Sequence, residues 1–164
     1  MAIRRTLPGF TIVELIVVVV IIAILATITV VVYRGSQNRA YDSTVQADLR
    51  NAYEKLQLNQ ADNNNTYPLT SDTTSLQAIF VVTKTSYDTT TNAYLYCRSD
   101  TDGALIARSK SKTGYYYSSK GEGTIASGSW TATGATTCPL AGILTTDPGY
   151  SFVWYHTLAS GWTW

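Results

Sequence analysis

Eighteen consecutive residues, Leu15 to Val32, carry no charge and no proline or glycine, and a lone carboxylate, Glu14, stands immediately before them. At 1.5 Å per residue the run makes about 27 Å of helix, close to the roughly 30 Å hydrocarbon core of a bilayer. Its Val, Ile and Thr residues are mediocre helix formers in water. In lipid the helix forms regardless, because backbone groups left without partners are too costly there. An acid at the edge of hydrocarbon is also costly, and usually has a partner and a role.

The 164 residues suffice for one membrane-anchoring element and one small domain with a modest core. Arg4 and Arg5 are two of 12 Lys and Arg set against 11 Asp and Glu, so the rest of the chain balances to −1. Such a balance points to no particular partner. Twelve Tyr, four Trp and a Ser/Thr-rich C-terminal two-thirds suit β-structure at an exposed surface rather than a cytosolic enzyme. The two cysteines, Cys97 and Cys138, lie far beyond the apolar run. If that run threads the chain outward, they meet an oxidising space and can pair, a reading we favour over two buried thiols. Having no nearby His, they make poor metal ligands.

The stub Met1-Ala-Ile-Arg-Arg-Thr-Leu-Pro-Gly9 is followed by Phe10-Thr-Ile-Val-Glu14. A cleaved secretory signal explains the basic start, but Glu14 fits badly there and Ala23-Ile-Leu-Ala26 is a poor cleavage site. A plain single-pass anchor explains the length and leaves Glu14 and the Gly9–Phe10 junction without a reason. The junction, the short basic leader and the acid five residues into Phe10-Thr-Ile-Val-Glu14-Leu-Ile resemble the processing site of type IV pilins and pseudopilins. The resemblance implies cleavage between Gly9 and Phe10 by a membrane aspartic peptidase, and N-methylation of Phe10. It also implies that Glu14 neutralises the N-terminal amine of an adjacent subunit during assembly, which concerns register more than net stability. Many pilins carry Gly or Pro within the apolar helix, and this stretch has neither.

Past Val32, Val45, Leu49, Ala52 or Tyr53, and Leu56 recur at helical spacing and form one apolar stripe flanked by Asp42, Asp48, Arg50, Glu54 and Lys55. The pattern stops at Asp62-Asn-Asn-Asn65, with Tyr67-Pro68 behind it. Phe10 to Ala61 is therefore expected to be one helix of about 78 Å. The run from Tyr41 to Leu49 and the exit Asn65-Thr-Tyr67-Pro68 also resemble the pilin helix and its turn. Strand-like pieces follow at 94–97, 105–108, 114–117 and 150–154, with Gly103, Gly121, Gly123, Gly128 and Pro148-Gly149 as turns. The expected fold class is α+β, a long N-terminal helix packed on an antiparallel sheet of three to five strands. The expected organisation is a leader over 1–9, a membrane or filament-core half-helix over 10–33, and an amphipathic half over 34–62. A connecting region over 63–93, holding one short helix or strand, then leads to a sheet head over 94–164.

Signals for catalysis are nearly absent. His156, the single histidine, sits in an aromatic strand-like tail and reads as a partly exposed structural residue; no nucleophile motif surrounds any Ser. No cofactor is expected. Asp100-Thr-Asp102-Gly103 faintly suggests a Ca²⁺ loop but lacks the spaced downstream acids, so a glycine turn with two solvated acids is the better reading. Arg108-Ser-Lys110-Ser-Lys112 alternates, which would set three cations on one face of a strand beside Tyr115-Tyr-Tyr117. That is a candidate anion or nucleic-acid patch, though a solvated, Lys-guarded sheet edge is the commoner outcome. Trp154, Trp162 and Trp164 either close the core or meet a neighbouring subunit.

The resemblance thus implies a structural, non-enzymatic subunit that polymerises into an extracellular helical filament for adhesion, motility or DNA uptake. Its partners would be copies of itself, the prepilin peptidase, and the assembly ATPase with its platform. It would sit in the cytoplasmic membrane as a single-pass protein, N-terminus inside, before assembly, and in the pilus afterwards. A pseudopilin of a secretion or competence system, and a membrane-anchored polysaccharide- or DNA-binding module that never polymerises, are the alternatives.

Overall fold

The computed structural model describes residues 9–131, 133–157 and 161–162. The leader ahead of Gly9 and Trp164 lie outside these. The chain divides into two compact units, one up to Gln37 and one from Asn38 onward.

In the first unit, residues 9–11 are non-helical and α1 (Ile12–Asp62) begins. No side chain from Phe10 to Tyr33 is buried, although this is the most apolar stretch of the chain. By length and composition the helix is able to cross a membrane. Its two interior hydroxyls are satisfied locally: Thr27 and Thr29 donate to the carbonyls of Ala23 and Leu25, each at 2.8 Å.

In the second unit α1 continues without a break and becomes amphipathic. Its buried residues are Val45, Leu49, Ala52, Tyr53 and Leu56, the stripe expected from the spacing. α1 ends where Asn64 and Asn65 take left-handed φ values of 55° and 61°, a conformation that asparagine tolerates better than most residues. A short helix, α2 (Thr73–Ile79), follows, capped by Asp72, whose carboxylate accepts from the Ser75 amide at 3.2 Å.

The sheet comprises β1 (Tyr94–Arg98), β2 (Gly103–Arg108), β3 (Gly114–Ser118), β4 (Gly121–Ile125), β5 (Ser151–Thr157) and β6 (Gly161–Trp162). Neighbours are antiparallel throughout, in the order β4-β3-β2-β1-β5-β6. Five strands have five to seven residues; β6 adds a two-residue edge. β4 departs from the expected turn at Gly121 and Gly123. Gly123 belongs to this edge strand because a side chain there would sit 2.7 Å from the Tyr116 hydroxyl, so the glycine makes room for the ring opposite it.

Strand alternation divides the core in two. Tyr94, Tyr96, Leu105 and Ala107 join the α1 stripe, together with Tyr67, Leu76, Phe80, Tyr87 and Tyr155. Leu95, Cys97, Ala104 and Ile106 face the other way, against Ile125, Trp130, Cys138, Ala141 and Ile143. The segment between β4 and β5, which includes α3 (Gly134–Thr137), thus forms a second covering layer. Every residue of β1 is buried, because both faces of the sheet are covered at its centre.

Candidate functional site

Phe10 is 80% exposed, and Thr11 opens α1 with a reciprocal hydrogen-bonded cap. The Thr11 amide and hydroxyl both donate to Glu14 Oε2, at 2.9 and 2.7 Å, and the Glu14 amide donates back to the Thr11 hydroxyl at 3.3 Å. This is a capping box: a side-chain oxygen satisfies a helix donor that has no intrahelical partner, and the acid three residues on reaches back. Glu14 is therefore held at the positive end of the helix dipole, one turn from Phe10. Thr11 was missed by sequence reasoning that treated Glu14 alone. The Thr-x-x-Glu spacing before an apolar run was the signal available. Beyond Glu14, the apolar surface of Leu15–Val32 is presented whole. Together these features make a charged, pre-organised helix end joined to an apolar helix whose side chains from Leu15 to Val32 are exposed.

The other sequence-marked residues fall elsewhere. Cys97 and Cys138 form a disulfide with Cα atoms 5.8 Å apart, tying β1 to the second covering layer. Arg108, Lys110 and Lys112 do not line one strand face. β2 ends at Arg108, the chain turns, and Lys112 adopts a left-handed φ of 76°. The turn sends Arg108 and Lys112 to one carboxylate and Lys110 to an aromatic ring. Lys112 Nζ and the Thr90 hydroxyl donate to Asp88 Oδ1 at 2.8 and 2.5 Å, and Arg108 Nε lies 3.5 Å from Asp88 Oδ2. Lys110 Nζ sits 5.3 Å from the centre of the Tyr41 ring. Burial pushes the Asp88 carboxyl upward, but the hydrogen bonds from Lys112 and Thr90 outweigh it and leave its pKa below the usual value. A buried carboxylate thus draws two of the three cations inward.

Asp100 and Asp102 are likewise engaged. Asp102 accepts from the Ser119 and Thr101 hydroxyls at 2.7 and 2.9 Å and lies 3.3 Å from Lys120 Nζ, while Asp100 lies 3.6 Å from Arg98. Gly103 serves packing: a Cβ there would stand 2.6 Å from the Tyr67 ring. No cluster of three or more His, Cys, Asp or Glu side chains able to hold a metal occurs among the described residues. His156 is buried, not partly exposed, with its ring 4.9 Å from the Trp162 indole, and burial lowers its pKa. His156 pairs with Tyr94 just past the bulge in the pairing of β1 with β5, in a sheet covered on both faces.

The described geometry of the helix end coincides with a sequence family. Residues 8–30 match the family described as "Prokaryotic N-terminal methylation motif". Over 60 residues the chain is 40% identical to the type IV wide pilus major component PilA4 of Thermus thermophilus, a stretch covering 37% of this chain and 46% of that relative. The N-terminal part of the chain is thus similar to that of a type IV pilin. The match spans less than half of that relative's length, and no solved structure matches the chain. The long helix with an antiparallel sheet is a pilin-like α+β architecture.

Proposed function

We propose that this chain is a type IV pilin, the repeating subunit of an extracellular helical filament, matured by cleavage between Gly9 and Phe10 and N-methylation of Phe10. The observation that carries the reading is the wholly exposed apolar surface of Leu15–Val32, adjoining a capped Glu14. Such a surface is stable only in lipid or against similar helices, and a filament core lets the subunit pass from one to the other with hydrophobic burial retained. The cap supports the role of Glu14. Both Thr11 hydrogen bonds go to Oε2, and a carboxylate has further acceptor sites with which to meet the Phe10 amine of a neighbouring copy.

On this reading the chain starts in the cytoplasmic membrane with its N-terminus inside, following the basic leader. Its partners are the prepilin peptidase, the assembly ATPase and platform, and other copies of itself. Its work is structural, and no cofactor enters.

Intact mass and N-terminal sequencing of protein sheared from producing cells test the proposal. A pelletable species that begins at methylated Phe10 is the expected result. A membrane-retained chain that still begins at Met1, or a soluble one cut near Ala26, overturns it.

A further inference from the structure

We infer that Asn64 is an acceptor for N-linked glycosylation, taking a saccharide from a lipid-phosphate-linked donor at the outer membrane surface. The inference rests on the outward topology proposed above.

Three observations converge on the turn after α1. Asn64-Asn65-Thr66 is an Asn-x-Thr acceptor sequence with no proline at the middle position. Asp62 stands two residues before the asparagine and supplies a carboxylate that a cationic transferase groove could hold. Residues 62 to 66 are all exposed, whereas Tyr67 immediately after them is buried against β2 at Gly103. The turn is thus pinned at both ends, by the helix on one side and by Tyr67 on the other, and its middle faces solvent.

The hydrogen bonds distinguish Asn64 from the asparagine before it. Asn63 spends its side-chain amide on the Asn59 carbonyl at 2.7 Å, and Gln60 donates to the Asn65 carbonyl at 3.3 Å. The Thr66 hydroxyl leans back over the Asn64 carbonyl at 3.4 Å, so the two residues of the acceptor sequence lie on one side of the turn. No hydrogen bond to the Asn64 side-chain amide occurs among the described residues, and Asn64 is exposed with a left-handed φ of 55°.

In the transfer, Asn64 Nδ2 forms a bond to C1 of the sugar and the C1–O bond to the lipid phosphate breaks. The phosphate leaves with the bonding pair, and the displaced amide proton passes to solvent. No electrons change hands. Asn64 lies 32 residues beyond Val32 in sequence, enough to clear the headgroups while the first half of α1 is still in the bilayer.

Trypsin should release Leu56–Lys84 as a single peptide that contains this turn and no other asparagine-linked acceptor sequence. The test is tandem mass spectrometry of that peptide from full-length protein made by its own cells. The expected result is a saccharide mass on Asn64 that Asn64→Gln and Thr66→Val abolish and Thr66→Ser retains. An unmodified peptide in the wild type overturns the inference. So does a saccharide mass that persists in Asn64→Gln, since it would then sit on a hydroxyl. The N-terminal peptide in the same digest reports processing at Phe10 separately, so failure of the filament proposal is read independently.

Discussion

Glu14 and Asp88 are both carboxylates held by a threonine, but they answer to different surroundings. Glu14 sits on an exposed helix end, where Thr11 fixes its position without burying it. If its charge is what assembly requires, Glu14→Gln should reduce the pelletable protein sheared from cells by at least about tenfold. Thr11→Val, which removes the cap and keeps the charge, should retain most of it. The reverse order would assign the role to the cap. Asp88 is buried beside Arg108 and Lys112, and Asp88→Asn should cost about 2–3 kcal/mol in chemical denaturation, because two cations lose their counter-charge. The pH dependence follows from two lowered pKa values. Burial favours neutral His156, so its contribution is full above its ordinary value of 6.5 and is lost as pH falls through its lower folded pKa. The Asp88 contribution is present above 3.8 and is lost as pH falls through its own, lower, folded value. Melting temperature followed against pH should show both limbs, and Asp88→Asn should remove only the lower one.

At the scale of elements, the amphipathic half of α1 is held to the sheet unit by an apolar stripe with a polar clasp at its upstream end. Asp48 accepts from the Thr83 amide at 2.6 Å and the Tyr87 hydroxyl at 3.1 Å, while Asp42 accepts from the Ser111 hydroxyl at 2.5 Å. The sequence places both acids beside the stripe without naming a partner, since a loop 35 or 69 residues away leaves no local trace. Gly103 shows the same limit in another form. Its place in Asp100-Thr-Asp102-Gly103 looked like turn chemistry, but the requirement comes from the Tyr67 ring. Gly103→Ala should therefore destabilise the protein by about 1–3 kcal/mol, since neither a buried ring nor a paired strand gives way easily. Thermal unfolding in detergent checks this; an unchanged midpoint would show that the ring moves aside.

For the molecule as a whole, the disulfide joins the two layers that local pattern could not connect. Cys97 lies on the central strand and Cys138 in the cover over the sheet face opposite α1, with 41 residues between them. In the chain-entropy account, closing such a loop stabilises the fold by about 4 kcal/mol. The double variant Cys97→Ala, Cys138→Ala should unfold at a correspondingly lower denaturant concentration. It should also expose the 126–150 segment to protease before the helix stripe is lost. Simultaneous loss of both would mean that the two core faces unfold as one.

What the sequence determined by itself is whatever rests on short-range periodicity or local spacing: the apolar run, the helix stripe from Val45 to Leu56, four of the strands, and the N-terminal methylation motif over residues 8–30. Each is a repeat of 3.6 or 2, or a fixed local spacing, and a single chain displays these openly. The tertiary structure decided the rest. It turned two of three alternating cations into the partners of a buried Asp88, made a strand of a glycine-rich stretch, and buried His156 in the sheet. It also laid a second layer over the far face of the sheet. These depend on which distant residues arrive at one place, and contacts between residues far apart in sequence are set only when the chain closes its loops around a common core.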